Sequence, residues 1–450
     1  MLRFLRVRNF RAYRDHRFDF KRINIFIGAN NSGKSTVLSA INLLAQTHTE
    51  SRGRASPLVL NGPYEQLGTY QDVVHGNNVR TSLGFDIGFE KYEVSFDIKY
   101  RTQRREIEVS RFSLFENGDE LYSFQSRSSK NDIKLQRVNI EEIFGQKALR
   151  RPEFIGFWPY QPEINRFAPG ERLADEKSRK IVERVSRGLR NSEISLRNIL
   201  RQFDTLSPFR DQPQRTYLHT GETPREIGRT GSSAITLLAN DSSRRGAMRI
   251  GIEDQVSEWL RVNGIAKEIR VKSLTPRHFE ICIVDFKGKE HNICDVGFGC
   301  SQVLPVLVGG LNLFLSPERT RRQPIFVVQE PEIHLHPNAQ ASLGSFFVGL
   351  SQSGGQQFIE THSDNLVLRI ARHVAHGEVD IDDVKIFFVK DENGDKYVTD
   401  IKINSKGIFE PEWPGGFFPQ RQLESLQLAK ARIAGEKTSS DEQLRFKYLD

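Results

Sequence analysis

The chain has 450 residues, 37% of them hydrophobic and 27% charged, with a formal net charge of +8. This length and composition predict a globular protein of two or three compact units. Its three cysteines are widely spaced and form no CxxC pair, which disfavours a disulfide framework or a zinc site and favours a reducing cytoplasm. The basic charge permits binding to DNA or RNA without requiring it.

Membrane insertion is not expected from the sequence. The N-terminus mixes arginines with single apolar residues and has no apolar core of a signal peptide. The longest apolar stretch, residues 303–315, is shorter than the ~20 residues that span a bilayer. We therefore expect a cytoplasmic protein with no membrane partner.

Residues 23–45 carry the strongest functional signal. The apolar run 23–27 predicts a buried strand, GANNSGKS fits the pattern GxxxxGK[ST], and apolar residues then follow at helical spacing. In this pattern backbone N–H groups surround the phosphates, Lys34 reaches the β- and γ-phosphates, and the Ser35 hydroxyl can ligate Mg²⁺. The predicted ATP-binding residues are Gly28, Asn30, Asn31, Ser32, Gly33, Lys34, Ser35 and Thr36.

The N-terminal segment LRFLRVRNFRAYRDHRFDFKRINIFIGANNSGKST resembles the opening of RecF/SMC-like ATPases. In that family a strand ending in Asn-Phe-Arg, here Asn9, Phe10 and Arg11, precedes the phosphate loop. The resemblance implies the head of an ATP-binding cassette (ABC) protein, in which two heads enclose two ATP molecules. It also predicts further motifs downstream.

The next expected motif is the Q-loop, whose glutamine contacts the metal in the family. The segment GPYEQLGTYQDVVHGNN lies in its expected place, before paired strands predicted at 82–87 and 93–100. Gln66 and Gln71 are both candidates, and the sequence does not decide between them.

Residues 101–206 are predicted to form an inserted α+β or helical lobe. Within it, Ile181, Val185 and Leu189 recur every four residues and predict an amphipathic helix. Its outer face is basic, and either a solvated surface or a nucleic-acid surface fits that charge; its members are Lys177, Lys180, Arg184, Arg187 and Arg190. The helical run is too short for the long coiled coil of an SMC protein.

The segment 207–239 is predicted to connect this lobe to the head. It carries Arg210 and Arg215 in a pattern that resembles related predicted ATPases. Whether Arg210 contacts nucleotide or only packs is left open by the sequence.

DVGFGCSQVLPVLVGGL, which begins at Asp295, resembles the signature loop of the family. Gly297 stands where a serine is expected, Gly299 matches the family glycine, and the helix is predicted to begin at Gln302. The resemblance implies that backbone N–H groups here bind the γ-phosphate of ATP held by the other subunit.

The segment VVQEPEIHLHP follows an apolar run that predicts a central strand, and it resembles the corresponding run of RecF- and OLD-like ATPases. The resemblance gives Gln329 the place of the metal-associated acid and Glu330 that of the base that orients the attacking water. Since glutamine is neutral, slow turnover and a high Mg²⁺ requirement are expected. His334 and His336 are expected in the D-loop at the dimer interface rather than in a metal site.

The last family motif is QQFIETHSDNLV, in which a predicted strand ends before Thr-His-Ser. His362 takes the place of the switch histidine, which contacts the γ-phosphate. The run WPGGFF, residues 413–418, resembles a short C-terminal domain of unknown function in prokaryotic predicted ATPases. The acids Asp382, Asp383 and Asp391 lie in a hairpin-sized region that leaves no room for the Toprim nuclease of OLD-type proteins. Relatives of this group serve in DNA repair and antiphage defence beside a companion nuclease, and this analogy implies a separate effector protein, such as a nuclease, as the expected partner.

Together these motifs predict an α/β fold: an ABC-type P-loop ATPase head split by an inserted lobe, with a small C-terminal cap. The predicted units are 1–100, 101–206, 207–380 and 381–450. The favoured function is an ATPase of the RecF/SMC/OLD-like class that uses ATP and Mg²⁺, forms a homodimer or higher oligomer, and gates an effector. The resemblance implies antiphage defence as its setting. The alternatives are a DNA-binding repair ATPase and a nucleotide-bound scaffold with little turnover.

Overall fold

The computed structural model describes residues 1–50, 56–126, 131–144, 151–165, 175–316, 323–413, 426–428 and 430. Its strands are β1 (Leu2–Phe10), β2 (Tyr13–Asp19), β3 (Ile23–Gly28), β4 (Leu83–Phe89), β5 (Tyr92–Arg101), β6 (Glu106–Glu116), β7 (Asp119–Ser126), β8 (Asn131–Leu135), β9 (Val138–Asn139), β10 (Glu153–Ile155), β11 (Trp158–Tyr160), β12 (Phe203–Leu206), β13 (Tyr217–Leu218), β14 (Glu268–Thr275), β15 (His278–Val284), β16 (Glu290–Asn292), β17 (Ile325–Gln329), β18 (Gln356–Glu360), β19 (Val384–Glu392), β20 (Asp395–Ile403) and β21 (Phe409–Glu410). Its helices are α1 (Lys34–Glu50), α2 (Tyr70–Val73), α3 (Ile140–Phe144), α4 (Pro162–Asn165), α5 (Glu176–Leu200), α6 (Ala234–Ser243), α7 (Ile252–Val262), α8 (Phe298–Leu315), α9 (Pro337–Gln352) and α10 (Asp364–Ala375).

A central sheet carries the phosphate loop. Over the described ranges its strand order is β12-β17-β18-β3-β19-β20-β21, and the first five strands are parallel. Their residues are buried on both faces, because alternate side chains point into two different hydrophobic cores. Thus Phe26 of β3 packs in one core, while Ile25 and Ile27 pack in the other. The strands predicted at 23–27 and 325–328 are confirmed as members of this sheet.

The N-terminal half forms an antiparallel sheet in the order β2-β1-β4-β5-β6-β7-β8-β9, as far as its residues are described. α1 lies between this sheet and the central sheet, and the residues of all three form one core. The predicted pair of strands after the Q-loop is confirmed as β4 and β5. The boundary predicted between residues 100 and 101 falls inside β5, which pairs with β6 in the same sheet.

The predicted amphipathic helix is confirmed as α5. Ile181, Val185 and Leu189 are buried against the antiparallel sheet and α1. The five basic residues predicted for its outer face are exposed. A helix of 25 residues suits the short run expected from the sequence.

The other face of the central sheet is covered by α8, α9 and α10, which share the second core with α6, α7 and a small antiparallel sheet of β13, β14, β15 and β16. By length and composition α8 could cross a membrane, but 83% of that window is buried inside the protein. Its apolar character is therefore explained by its place in the core.

The C-terminal strands extend the central sheet. β19 pairs in parallel with β3, and β19 and β20 form the hairpin predicted over KDENGDKY. The predicted unit 381–450 thus begins as part of the head sheet. Its remainder beyond residue 413 lies outside the described residues, apart from 426–428 and 430.

Candidate nucleotide-binding site

A cleft of about 460 Å³ opens at the carboxyl ends of β3, β17 and β18, where ligands bind in open parallel sheets. Of the predicted ATP-binding residues, the cleft is lined by Asn30, Asn31, Gly33, Lys34, Ser35 and Thr36. Gly28 and Ser32 belong to the same loop but stand behind its lining. The predicted catalytic residues Glu330 and His362 face the same cleft. The fold therefore brings together three motifs that are far apart in the sequence.

The phosphate loop requires glycine at two of its positions. A Cβ atom on Gly28 would lie 2.1 Å from the carbonyl oxygen of Val389, since β19 passes directly beside the loop. Gly33 has a φ angle of +106°, which L side chains rarely adopt. The glycines thus let the chain turn tightly between strand and helix.

Lys34 is nearly enclosed at the start of α1. Its Nζ donates to the carbonyl oxygens of Gly28 at 3.0 Å and Ala29 at 2.8 Å, and lies 3.9 Å from a carboxylate oxygen of Glu360. Burial lowers the pKa of Lys34, and the neighbouring carboxylate of Glu360 opposes that shift. The ammonium group therefore stands at the floor of the cleft, where phosphate oxygens would replace its carbonyl partners.

Glu330 and His362 come from neighbouring strands. His362 Nε2 lies 3.9 Å from Glu330 Oε1, and both side chains are about one-third exposed to the cleft. Burial lowers the pKa of His362, as does Lys34, so its imidazole is mainly neutral near pH 7. A partly exposed carboxylate beside a neutral imidazole can orient a water molecule.

The backbone around these two residues is held by Glu332 and Glu360. The backbone N–H of His362 donates to the buried Glu332 carboxylate at 2.6 Å. The backbone N–H of Glu330 donates to the carbonyl oxygen of Glu360 at 2.7 Å, at a φ of +45°. Burial raises the pKa of Glu332. These hydrogen bonds hold the backbone of Glu330 and His362 in place, and of the two acids only Glu360 is among the described lining residues of the cleft.

Arg210 is buried beneath the site and is not among the described lining residues of the nucleotide cleft. Its guanidinium donates to the carbonyl oxygens of Gln329, Glu330 and Gln302. It therefore ties the end of β17 to the first turns of α8.

Residues of the signature motif line a second cleft of about 580 Å³. Gly297, Gly299, His334 and His336 contribute to it, so the signature loop and the HLHP segment meet there. None of its described lining residues belongs to the nucleotide cleft. A single chain therefore keeps the two motifs on separate surfaces.

The predicted start of the signature helix at Gln302 is wrong. α8 begins at Phe298, with Gly297 as its N-cap residue. Gly299 lies in the first turn of α8, where a Cβ atom would come within 2.7 Å of the carbonyl oxygen of His334. Close packing against the HLHP segment thus explains a glycine inside the helix, where the sequence indicated a loop.

The two candidate Q-loop glutamines lie outside both clefts, as far as the described lining residues go. Gln66 is exposed and donates to the carbonyl oxygen of Gly62 at 2.9 Å, and Gln71 is exposed on α2. The choice between them stays open.

Sequence reasoning gave no site role to three charged residues of the nucleotide cleft, Arg11, Glu360 and Lys396. Glu360 is the last residue of the apolar strand before the switch motif, and an acid at that position could have been recognised in the sequence as a candidate site residue. Lys396 comes from β20 and donates to the carbonyl oxygen of Asn31 at 3.1 Å. Its place depends on how the C-terminal hairpin packs, and no local pattern marks it.

The oxygen donors of the cleft fit Mg²⁺, which prefers hard oxygen ligands. The Ser35 hydroxyl donates to Glu360 Oε1 at 2.8 Å, and Gln329 Nε2 donates to Glu360 Oε2 at 3.3 Å. A hydroxyl, an amide and a carboxylate are thus grouped beside the phosphate-binding lysine.

A family model described as an AAA ATPase domain matches residues 1–144 and 238–367, which is more than half of the chain. The match covers the phosphate loop, the signature segment, the end of β17 and His362. It leaves out residues 145–237, which include α5 and Arg210. No curated protein matches the sequence.

Solved structures similar to this chain include three SMC heads. One is an SmcHead bound to the C-winged helix domain of ScpA, with 11% identity, coverage of 90% of this chain and 98% of that chain, and a TM-score of 0.39. The SMC head domain from Thermotoga maritima has 11% identity, coverage of 88% and 98%, and a TM-score of 0.35. The Smc head domain with an extended coiled coil, bound to the C-terminal domain of ScpA from Pyrococcus furiosus, has 13% identity, coverage of 89% and 96%, and a TM-score of 0.38.

Proposed function

The chain belongs to the AAA ATPase domain family, and from this membership and its cleft we propose that it is a cytoplasmic ATPase that dimerises around ATP and gates a separate effector protein. The observation that carries the proposal is the meeting of Lys34, Glu330 and His362 at one cleft on the carboxyl edge of the sheet. These residue types at this place supply a phosphate-binding cation, a base and a γ-phosphate sensor.

The proposed chemistry is phosphoryl transfer to water. Backbone N–H groups of the phosphate loop and Lys34 bind the phosphates of ATP, and the Glu330 carboxylate orients the attacking water. His362 lies close enough to Glu330 to contact the same γ-phosphate region. When bound, Mg²⁺ neutralises charge on the β- and γ-phosphates. Ser35 and the oxygen donors beside it would hold the ion.

Dimerisation is proposed because the signature loop does not reach the nucleotide cleft of its own chain. At the start of α8, Gly297 has no side chain to cap the first backbone N–H groups. Such groups bind anions, and a second copy could present them to the γ-phosphate. Turnover is proposed to be slow, since the nucleotide cleft of a single chain lacks the N–H donors of a signature loop until a second copy binds.

The effector and the setting are proposed by analogy with RecF- and OLD-like ATPases. In that view ATP-bound dimers hold a separate protein, such as a nuclease, inactive until hydrolysis, and antiphage defence is the proposed context. The alternative of a DNA-binding repair ATPase is favoured by the exposed basic face of α5. The alternative of a nucleotide-bound scaffold predicts dimers without measurable turnover.

The proposed function is tested by light scattering on Glu330→Gln with and without ATP. This variant keeps the phosphate contacts but lacks the base, so we expect it to accumulate as an ATP-bound dimer. The matched control is Glu330→Gln combined with Lys34→Ala, which should stay monomeric. A Glu330→Gln protein that binds ATP but remains monomeric at all concentrations would refute dimerisation around nucleotide.

A further inference from the structure

A buried carboxylate stands directly opposite Gln329 in the sheet. β17 and β18 are adjacent parallel strands, and Gln329 and Glu360 are register partners at their carboxyl ends. The strand that should end in an acid ends in an amide, while its neighbour ends in an acid. At this register position the site therefore has one carboxylate, and it lies on β18 instead of β17.

On β18, the carboxylate lies nearer to the phosphate loop than it would on β17. β18 lies between β17 and β3, so position 360 is one strand spacing, about 4.8 Å, nearer to the phosphate-loop strand than position 329. Glu360 lines the nucleotide cleft although it is only 4% exposed. It is thus accessible from the cleft and shielded elsewhere.

The contacts of Glu360 are those expected of an acid that holds a metal shell. One carboxylate oxygen accepts from the hydroxyl of Ser35 at 2.8 Å, and the other accepts from the amide of Gln329 at 3.3 Å. The Ser35 hydroxyl is the group that ligates Mg²⁺ in phosphate-loop sites. A carboxylate bonded to that hydroxyl lies beside the position of the ion.

The other carboxylates near the cleft are placed differently. The carboxylate of Glu332 is turned to the backbone N–H of His362 and stands behind the cleft. Glu330 lines the cleft, but its carboxylate faces His362. Of the acids in the described part of the site, Glu360 is the one that contacts Ser35.

We propose that Glu360 is the metal-associated carboxylate of this ATPase, and that Gln329 orients it through the amide hydrogen bond. This proposal rests on the proposed Mg²⁺–nucleotide binding at the same cleft. The charge that Gln329 lacks is then supplied from the next strand. Consequently, the high Mg²⁺ requirement expected from Gln329 alone does not apply.

The register pair offers a direct test by exchange of the two side chains. Glu360→Gln removes the carboxylate, and the double variant Gln329→Glu/Glu360→Gln returns it to the neighbouring strand at the same rung. Glu330→Gln is the matched control, because it removes a carboxylate from the same cleft that does not contact Ser35. The probes are Mn²⁺, detected by electron paramagnetic resonance, and ADP, which is not turned over.

We expect Glu360→Gln to weaken Mn²⁺ binding to the ADP complex by about 10- to 100-fold, as for lost partners of metal ligands. The exchange variant should recover most of this loss, and Glu330→Gln should stay within a few-fold of the wild type. Affinity for ADP in excess EDTA should be similar in all four proteins, which also shows that each is folded.

Three results would overturn the proposal. Unchanged Mn²⁺ affinity in Glu360→Gln would remove its metal role. A folded Gln329→Glu/Glu360→Gln variant that does not recover Mn²⁺ affinity would refute the claim that a carboxylate at position 360 takes the place of one at position 329. Tighter ADP binding by Glu360→Gln in EDTA, with normal Mn²⁺ affinity, would make Glu360 only a partner of Lys34. If the wild type binds no ADP with or without metal, the proposed function itself fails.

Discussion

Arg210 offers a sharp test of how the two motifs of the head are joined. Its guanidinium is 8% exposed, and burial lowers its pKa to about 10, so it remains charged at pH 7. One nitrogen donates to the carbonyl of Gln302 at 3.2 Å, and another donates to those of Gln329 and Glu330 at 3.1 Å and 3.0 Å. Replacement by lysine keeps the charge but donates from a single point.

A lysine ammonium cannot occupy both nitrogen positions, so Arg210→Lys should lose the bonds on one side of the bridge. A hydrogen bond from a charged group contributes about 1.5–3 kcal/mol, and a buried carbonyl left without a donor adds to the loss. We therefore expect the free energy of unfolding to fall by about 2–5 kcal/mol. That is a large part of the roughly 5–15 kcal/mol typical of folded domains.

The assay is equilibrium unfolding in urea at pH 7 without nucleotide, read from the midpoint at unchanged slope. Arg215→Lys is the matched control, because Arg215 lies on the same segment but forms an exposed ion pair with Asp295. Its loss should change stability much less. Equal changes for Arg210→Lys and Arg215→Lys would show that the bridge does not stabilise the head.

Three further outcomes are expected. Lys34→Ala should abolish ATP binding in calorimetric titration, since it removes the cation that offsets the phosphate charge; unchanged affinity would place the nucleotide elsewhere. Because burial lowers the pKa of His362, hydrolysis should hold its rate on acidification to pH 6.5 and fall only below it, and His362→Gln should remove that fall. If the protein binds DNA, replacing Lys180, Arg184 and Arg187 with Glu should weaken binding and reduce its salt dependence; strong binding unaltered by these changes would exclude α5 as the DNA surface.

The parts of the site that the sequence predicted are those encoded in one contiguous stretch. The phosphate loop carries its strand, its glycines and its helix within residues 23–45, so local patterns suffice. The ends of β17 and β18 were predicted in the same way, and Glu330 and His362 lie in the cleft. Parallel strands place their carboxyl ends at one edge, and this rule brings distant motifs together.

The parts that the sequence did not predict depend on pairing register and packing. That Glu360 stands opposite Gln329 was overlooked because this pairing depends on the register of two strands that are separate in the sequence. Arg210 donates hydrogen bonds to backbone carbonyl groups, and no sequence pattern indicates which carbonyl groups a side chain will contact. Gly299 was placed in a loop because its packing against His334 is a contact between distant segments. Each of these contacts requires the three-dimensional structure.

The order of the central sheet has a consequence for how the protein is synthesised. β3, which leads into the phosphate loop, pairs only with β18 and β19, as far as the described residues show. The side-chain amide of Asn24 donates to the carbonyl oxygen of Gln357, 333 positions later. The strand pairing of the antiparallel sheet, as far as it is described, involves only residues up to 139 and can form early on the ribosome. At about 5–20 residues per second, the phosphate-loop strand waits more than ten seconds for its neighbours. We therefore expect nucleotide to bind only after β18 and β19 have been synthesised, and a product that ends before β18 should have the phosphate loop but no ATP site.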